Sequence, residues 1–469
     1  MSTLLSNILF YTVPLLTLVL VIFRKLYYNK NNNNQNESFK ALLSNGKPPS
    51  KPIERYDFCH ELLEMETSNY VCNINPISTL TWFKGDHKNV KSVLYHRLKL
   101  IILKNPWLQG RIVLETNKKG KPSCYLCYNN NNNKDDDIEK NNGIRIEDYL
   151  ETIDPQKSPI ARDTPIADLG NKLEPLMIKN GPQEPIFKVF IVPCRKSPDE
   201  LFGLSFQMSH AVGDGATYYQ LLRMLCSIEE HHVVKLNPVR HLKLREQQIA
   251  ILGKEEEGHL TSKTWTLTYA IGLLWAKLML RPTRRQFALV DMSKVEEAKR
   301  LAVKGGEVDF VSTNDVITSW FFNQTRCLTA KMAINWRNRL DGLTERDAGN
   351  YLNVIFYQQE DYASPTLIRK SLSKFRRAVT TKMPGFFSIF LQESAAVTNW
   401  SNFACPNEIE GCEEDLHVPV APVSHSSILL NMLIIFRAGE GKLGLMYYLS
   451  KKANRNFDSS LFMKDVPLR

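Results

Sequence analysis

The sequence predicts an α/β protein of two domains behind a membrane-spanning N-terminal helix. Its 469 residues, 43% hydrophobic, suffice for a large core and exceed the usual size of one domain. β-Branched and aromatic runs are interleaved with helical patterns. A long uncharged apolar run opens the chain.

That run comes first. Residues 2–23 carry no charge, and about 20 apolar residues are enough to cross a bilayer as a helix. Pro14 is tolerated in lipid. Arg24, Lys25 and Lys30 follow at once, with Tyr27 and Tyr28 at interface depth. A cleaved signal peptide would carry its charges before the run, so 1–28 reads as a single-pass signal anchor. The flanking cations place the rest of the chain in the cytosol, with the endoplasmic reticulum as the expected membrane. In that topology Asn36, an acceptor by pattern in Asn36-Glu37-Ser38, stays unglycosylated. An Asn-rich polar tether occupies 29–52. A second low-complexity stretch, Asn129 to Asn133 and on through Asp137, reads as a surface loop.

The folded part is expected from about Tyr56. Val90, Val93, Leu94, Leu98, Ile101 and Ile102 mark a helix over 89–103, closed by Asn105-Pro106. Trp107 to Leu114 reads as a turn into a strand. Two antiparallel strands, 186–192 and 201–208, are predicted around the polar connection 195–200. The second places Leu204, Phe206 and Met208 on one face and delivers His210 at its end.

The stretch after it is Ser209-His210-Ala211-Val212-Gly213-Asp214-Gly215. A helix is expected over 216–228 with Asp214 as its cap, and Gly213 and Gly215 allowing a sharp turn. Strand, turn and helix would hold the imidazole rigidly. Histidine is the side chain that ordinarily changes charge near neutrality. It can take a proton from an acceptor hydroxyl and return it to a departing thiolate. Asp214 is expected to orient the turn through an ion pair, with Arg284 or Arg285 as candidate partner.

The formal net charge of +11 favours anionic partners: a membrane surface or a phosphate-bearing ligand. Nucleic acid is set aside, since the cations are scattered and no zinc-finger spacing occurs. Nine cysteines at irregular gaps read as reduced thiols. Cys124 and Cys127 form a lone pair with no second pair to complete a metal site, so no metal is expected. An apolar stretch, 265–280, reads either as a core or interface helix or as a helix lying in the bilayer surface.

H-x-x-x-D-G after a strand resembles the signature of the coenzyme-A-dependent acyltransferase superfamily. That superfamily includes chloramphenicol acetyltransferase, the plant BAHD enzymes, the wax ester synthase/diacylglycerol acyltransferases and the condensation domains of peptide synthetases. Asn105 to Arg111 is similar to its early P-x-L-x-G-R turn, and Pro185-Ile186-Phe187 to the Pro-Leu-Trp motif of wax ester synthases. Arg284-Arg285-Gln286-Phe287 resembles the opening of the BAHD second domain. Ser312-Thr313-Asn314-Asp315 matches the BAHD S-T-x-D segment. Asn335 to Arg339, followed by Gly349-Asn350, resembles the BAHD segment ending in Gly-Asn. The BAHD Asp-Phe-Gly-Trp-Gly segment is absent from the C-terminal third, so a standard plant-type enzyme is not expected.

The resemblance implies two chloramphenicol-acetyltransferase-like α/β lobes with largely antiparallel sheets: 53–231, a crossover linker 232–284, and 285–469. A tunnel between them would hold His210 midway. Acyl-CoA is the implied co-substrate, with no resident cofactor, and a lipophilic or small alcohol is the implied acceptor. An amine acceptor, a carrier-bound thioester donor and a non-catalytic binding protein are the alternatives. Thr313 and Asn399 are candidate donors to the oxyanion, and Asn314 and Asp315 are candidate tunnel residues.

Overall fold

The computed structural model describes residues 56–67, 76–116, 122–129, 145–178, 184–254, 285–382, 394–421, 431–455, 457–458 and 463–464. The expected anchor, the tether, the Asn-rich loop beyond Asn129, the apolar stretch 265–280 and Arg284 lie outside them. Among the described residues no helix is long and apolar enough to cross a membrane.

Three sheets organise the chain. A small one joins β1 (Phe58–Glu61), β4 (Pro122–Tyr128) and β3 (Arg111–Thr116) in that order. A five-stranded one runs β12 (Glu413–Pro419), β2 (Ile77–Lys84), β7 (Leu201–Met208), β6 (Phe187–Pro193) and β5 (Leu150–Thr152). A seven-stranded one runs β10 (Leu352–Tyr357), β9 (Thr329–Asn335), β11 (Ser394–Asn399), β13 (Asn431–Gly439), β14 (Lys442–Tyr448), β8 (Gln286–Val290) and β15 (Met463–Lys464). Pairing is mostly antiparallel. The exceptions are β5 on β6 and β11 between β9 and β13.

The β6–β7 hairpin forms as expected, with Met208 opposite Phe187. Burial departs from simple alternation, because β7 is central and buried along its whole length. Its polar residues are satisfied inside the fold. Gln207 Oε1 accepts from Ile178 N at 2.9 Å, and its Nε2 donates to Ser205 Oγ at 3.2 Å. Helix α1 (His87–Lys104) is capped by Asp86, which accepts from Lys88 N. It closes on Asn105, whose amide donates to Ile101 O at 3.1 Å and Val234 O at 2.9 Å. Two more helices of this half are α2 (Ile166–Leu173) and α3 (Gly215–Leu225). α1, α3 and the small sheet enclose one core with the five-stranded sheet, with Trp107, Phe187, Phe202 and Tyr218 deep within it. Helix α4 (Leu244–Leu252) follows.

On the seven-stranded sheet, α5 (Met292–Val303), α6 (Thr313–Thr325) and α7 (Pro365–Lys374) cover one face and bury Trp320, Phe321, Phe322 and Tyr357. Its other face supplies Ile434, Phe436, Met446 and Tyr448 to a third core shared with Leu80, Trp82, Phe190 and Val192 of the five-stranded sheet. Strand β12 ties the two sheets topologically. It lies in sequence between β11 and β13 of the large sheet, yet pairs with β2 of the five-stranded one.

The cysteine reading needs correction. β1 pairs with β4 so that Cys59 stands opposite Cys127, with Cα atoms 4.1 Å apart, and the two form a disulfide. Cys124, on the same strand, is buried and takes no part in that disulfide. The lone pair seen in sequence is thus not a unit, because Cys127 takes its partner from a neighbouring strand.

Candidate active site

β7 ends at Met208, and the turn from Ser209 to Asp214 carries the chain into α3. Asp214 is the N-cap of α3 and accepts from Thr217 N at 3.0 Å, as expected. The two glycines act differently from expectation. Neither has a positive φ, so the turn does not demand glycine on conformational grounds. A Cβ on Gly213 would stand 2.9 Å from the Cβ and Cγ2 of Thr217, so there the need is for space. A Cβ on Gly215 would lie 3.5 Å from the Trp400 ring, an ordinary contact.

Asp214 pairs with Arg337 and not with Arg285, while Arg284 lies outside the described residues. Arg337 Nη1 lies 2.8 Å from Asp214 Oδ2, and both side chains are buried. The other donors of the guanidinium are also used. Nε reaches Asp347 O at 2.9 Å, Nη1 also reaches Asn335 Oδ1 at 3.1 Å, and Nη2 reaches Thr217 Oγ1 at 3.0 Å and Gly349 O at 2.9 Å. All five N–H groups of the fork are therefore engaged. Asp214 Oδ2 also accepts from Tyr351 N at 3.0 Å. Burial alone would push the Asp214 carboxyl up, but Arg337 and the hydrogen bonds from Thr217 and Tyr351 hold it below the usual carboxylate range. A carboxylate so fully engaged positions the turn and is not poised to take a proton. Arg285 instead donates to the carbonyl of Ala421 and stacks over Tyr448, 5.8 Å from the ring centroid.

His210 sits in the middle of this turn. Its Nδ1 is buried and makes no hydrogen bond among the described residues, so it is not spent on holding the fold. Its backbone is held instead. Asn350 Nδ2 donates to His210 O at 2.8 Å, and Arg240 Nη2 donates to Val212 O at 2.8 Å. Ser209 N reaches Ile186 O at 2.8 Å, and Asp214 N reaches Gly349 O at 3.2 Å. A second buried ion pair stands behind these bonds: Glu66 Oε2 lies 2.9 Å from Arg240 Nε, with both side chains fully buried.

The remaining candidates divide. Asp315 closes a capping box with Ser312 at the start of α6 and pairs with Arg369, whose Nε is 2.7 Å away. It serves the helix layer. Thr313 is the first residue of that helix. Asn399 Nδ2 donates to Asn314 Oδ1 at 3.1 Å, so the ends of β11 and the start of α6 meet through these two amides. Neither amide is hydrogen-bonded to the His210 ring among the described residues. Trp400, next in sequence to Asn399, packs against α3 beside Tyr219, with ring centroids 6.2 Å apart. Glu66 and Arg240 were not marked by any local pattern, since their pairing joins residues 174 apart in sequence. Asn350 lay in the Gly349-Asn350 segment, but its hold on His210 O, 140 residues away, was not legible there.

A histidine in the turn after β7, an aspartate–arginine lock and a strand that crosses from one sheet to the other define the architecture. The chain has the chloramphenicol-acetyltransferase-like fold. F. sporotrichioides TRI101, complexed with coenzyme A and T-2, superposes with a TM-score of 0.56 at 14% identity over 85% of this chain and 96% of its own. The first condensation domain of the calcium-dependent antibiotic synthetase, with a substrate analogue, gives 0.52 at 13% identity over 85% and 92%. Vinorine synthase gives 0.52 at 12% identity over 87% and 94%. At these identities the likeness is one of acyltransferase fold. No protein-family model matches the chain, and no curated protein matches it in sequence.

Proposed function

We propose that the protein is an acyltransferase that moves an acyl group from coenzyme A to a hydroxyl acceptor, with His210 as general base. The observation that carries this reading is the His210 turn. It is fixed by buried contacts reaching from the large sheet, while the imidazole Nδ1 makes no hydrogen bond among the described residues. The acceptor oxygen attacks the thioester carbonyl carbon as its proton passes to His210. The tetrahedral intermediate then collapses, the carbon–sulfur bond breaks, and the proton passes to the departing thiolate. Asp214 and Arg337 hold the turn and take no proton. The complexes of the structurally similar TRI101 with coenzyme A support this donor. The similar condensation domain keeps a carrier-bound thioester as the second reading. An apolar 1–28 segment with cations on its C-terminal flank supports a membrane-anchored enzyme facing the cytosol and a lipophilic acceptor.

The test offers purified protein an acyl-CoA series and an alcohol panel and follows free thiol. Release that needs both an acceptor and His210 supports the reading. Release from a carrier-bound thioester alone transfers it to the condensation-type reaction. For the topology, a glycosidase-sensitive shift lost in Asn36→Gln would place the tether outside the cytosol.

A further inference from the structure

Glu66 lies in none of the motifs that point to the active site, yet it is fully buried beside the His210 turn. It accepts on both oxygens. Oε1 takes Asn350 N at 2.8 Å and Asn350 Nδ2 at 3.1 Å, while Oε2 takes Arg240 Nε at 2.9 Å and Leu63 N at 2.9 Å. The two residues it holds are those that grip the turn, Asn350 through His210 O and Arg240 through Val212 O. The amide of Asn350 is oriented without ambiguity. Its Nδ2 lies between two acceptors, Glu66 Oε1 and His210 O, so the nitrogen must face them both. Its oxygen is buried and makes no hydrogen bond among the described residues. A buried ion pair generally adds little stability over an apolar pair of the same size, and its use is in specifying one arrangement. Here what is specified is the backbone on either side of Ala211.

Resting on the acyl-transfer reading above, we propose that Glu66 is a positioning residue for His210, acting through Asn350 and Arg240. Its carboxylate sets the Asn350 amide and the Arg240 fork, and these set the carbonyls that fix where the imidazole stands. Misplacing a catalytic group by about 1 Å costs on the order of 100-fold in rate, so the lever is large although Glu66 touches no substrate. Glu66→Gln keeps the shape, removes the charge, and turns one acceptor into a donor facing Arg240 or Asn350.

The experiment is a double-mutant cycle on the full chain. It uses Glu66→Gln, Asn350→Ala and the pair, with kcat, KM for acyl-CoA and melting temperature measured for each. The expected result is a fall in kcat of about 10- to 100-fold for each single variant, with KM for acyl-CoA held within about twofold. The double variant should be no slower than the worse single one, because both act along one route. Multiplicative losses, or a kcat loss that merely follows melting, would overturn the proposal. A second readout keeps it independent of the reaction. In protein labelled with ¹⁵N-histidine, the His210 ring resonances, assigned by their loss in His210→Ala, should shift in Glu66→Gln. Unchanged ring resonances would refute positioning whatever the turnover. A wild type that releases no His210-dependent thiol, with shifted resonances in Glu66→Gln, would refute the reaction and leave the positioning standing.

Discussion

Helices α3 and α6 begin alike: each has a buried aspartate in its first turn or cap, and each aspartate is held by an arginine. The difference lies in where the arginine comes from. Asp315 is held by Arg369 of α7, a neighbour in the same helix layer. Asp214 is held by Arg337, from the connection between β9 and β10 of the large sheet, 123 residues away. The first arrangement finishes a helix. The second couples a turn of the five-stranded sheet to the seven-stranded sheet, four residues after a histidine whose Nδ1 makes no hydrogen bond among the described residues. One capping chemistry thus yields a structural joint in one place and a candidate catalytic centre in the other.

The strongest way to break this contrast is at the histidine itself. His210→Ala should lower kcat about 100- to 10,000-fold, the range for a general base. Its melting temperature should stay at the wild-type value, since the Nδ1 makes no hydrogen bond among the described residues that the fold would lose. Thiol-release kinetics with calorimetry decide it. Undiminished turnover would remove the distinction between the two helix starts.

The aspartates sharpen it next. Asp214→Asn leaves Arg337 buried without its counter-ion, and losing one partner of a buried pair costs about 3–5 kcal/mol. Denaturant melts should show that loss, and the surviving folded fraction should turn over more slowly because the turn is released. Asp315→Asn removes an ion pair whose arginine is partly exposed. Its cost should be nearer 1–3 kcal/mol, roughly that of one charged hydrogen bond. Turnover per folded molecule should be unchanged. Equal effects of the two variants on turnover would collapse the comparison.

These two sites also mark what the sequence reveals. The strand, the turn, the capping aspartate and the helix are local, set by alternation, cap chemistry and helical period, and they are found within a few residues of where those rules put them. So is α1, ended by Asn105. The partner of Asp214 is not local. Arg284 and Arg285 were cations in the right half of the chain, but β8 carries Arg285 to Ala421 and Tyr448, while the β9–β10 connection brings Arg337 to the turn. Only the strand order supplies that pairing, and the same holds for Glu66 with Asn350 and for Cys59 with Cys127. The role given to the glycines was misjudged for a different reason. Spacing suggested a conformational need, whereas at Gly213 the constraint is a neighbouring methyl.

α3 has a further buried tie. Tyr219 Oη lies 3.1 Å from His417 Nε2, and Thr81 Oγ1 lies 2.8 Å from its Nδ1, so this histidine links α3 with β12 and β2. Burial lowers the His417 pKa to about 4. An unfolded chain binds that proton near 6.5, so between about 6.5 and 4 the unfolded state carries more protons and stability falls as the pH drops. The loss approaches about 3 kcal/mol at the acid end by the usual linkage. His417→Gln should flatten this part of the stability–pH curve measured by urea melts. An identical acid slope in the variant would show that His417 is not what ties α3 to acid.

The smallest expected effect separates the two glycines of the turn. Gly213→Ala sets a methyl 2.9 Å from both Thr217 Cβ and Cγ2 and 3.1 Å from Met208 Cε. Thr217 has little freedom to yield, because its hydroxyl accepts from Arg337 Nη2 at 3.0 Å and from Gly349 N at 3.2 Å. Overpacking of this kind costs about 1–3 kcal/mol, and here it also pushes on a side chain that Arg337 holds. Turnover should therefore fall together with stability. Gly215→Ala meets Trp400 at 3.5 Å and Phe403 Cδ2 at 3.9 Å, both ordinary contacts, at a φ any residue adopts, and it replaces glycine within the first turn of a helix. Alanine is favoured there by up to about 1 kcal/mol, so this variant should melt at or slightly above the wild-type temperature and keep its kcat. The pair is read side by side in one melting and one thiol-release series. If Gly215→Ala is the more damaging of the two, the space at this turn is needed beside Trp400 rather than beside Thr217. The clamp from Arg337 would then not be what makes the turn intolerant of added bulk.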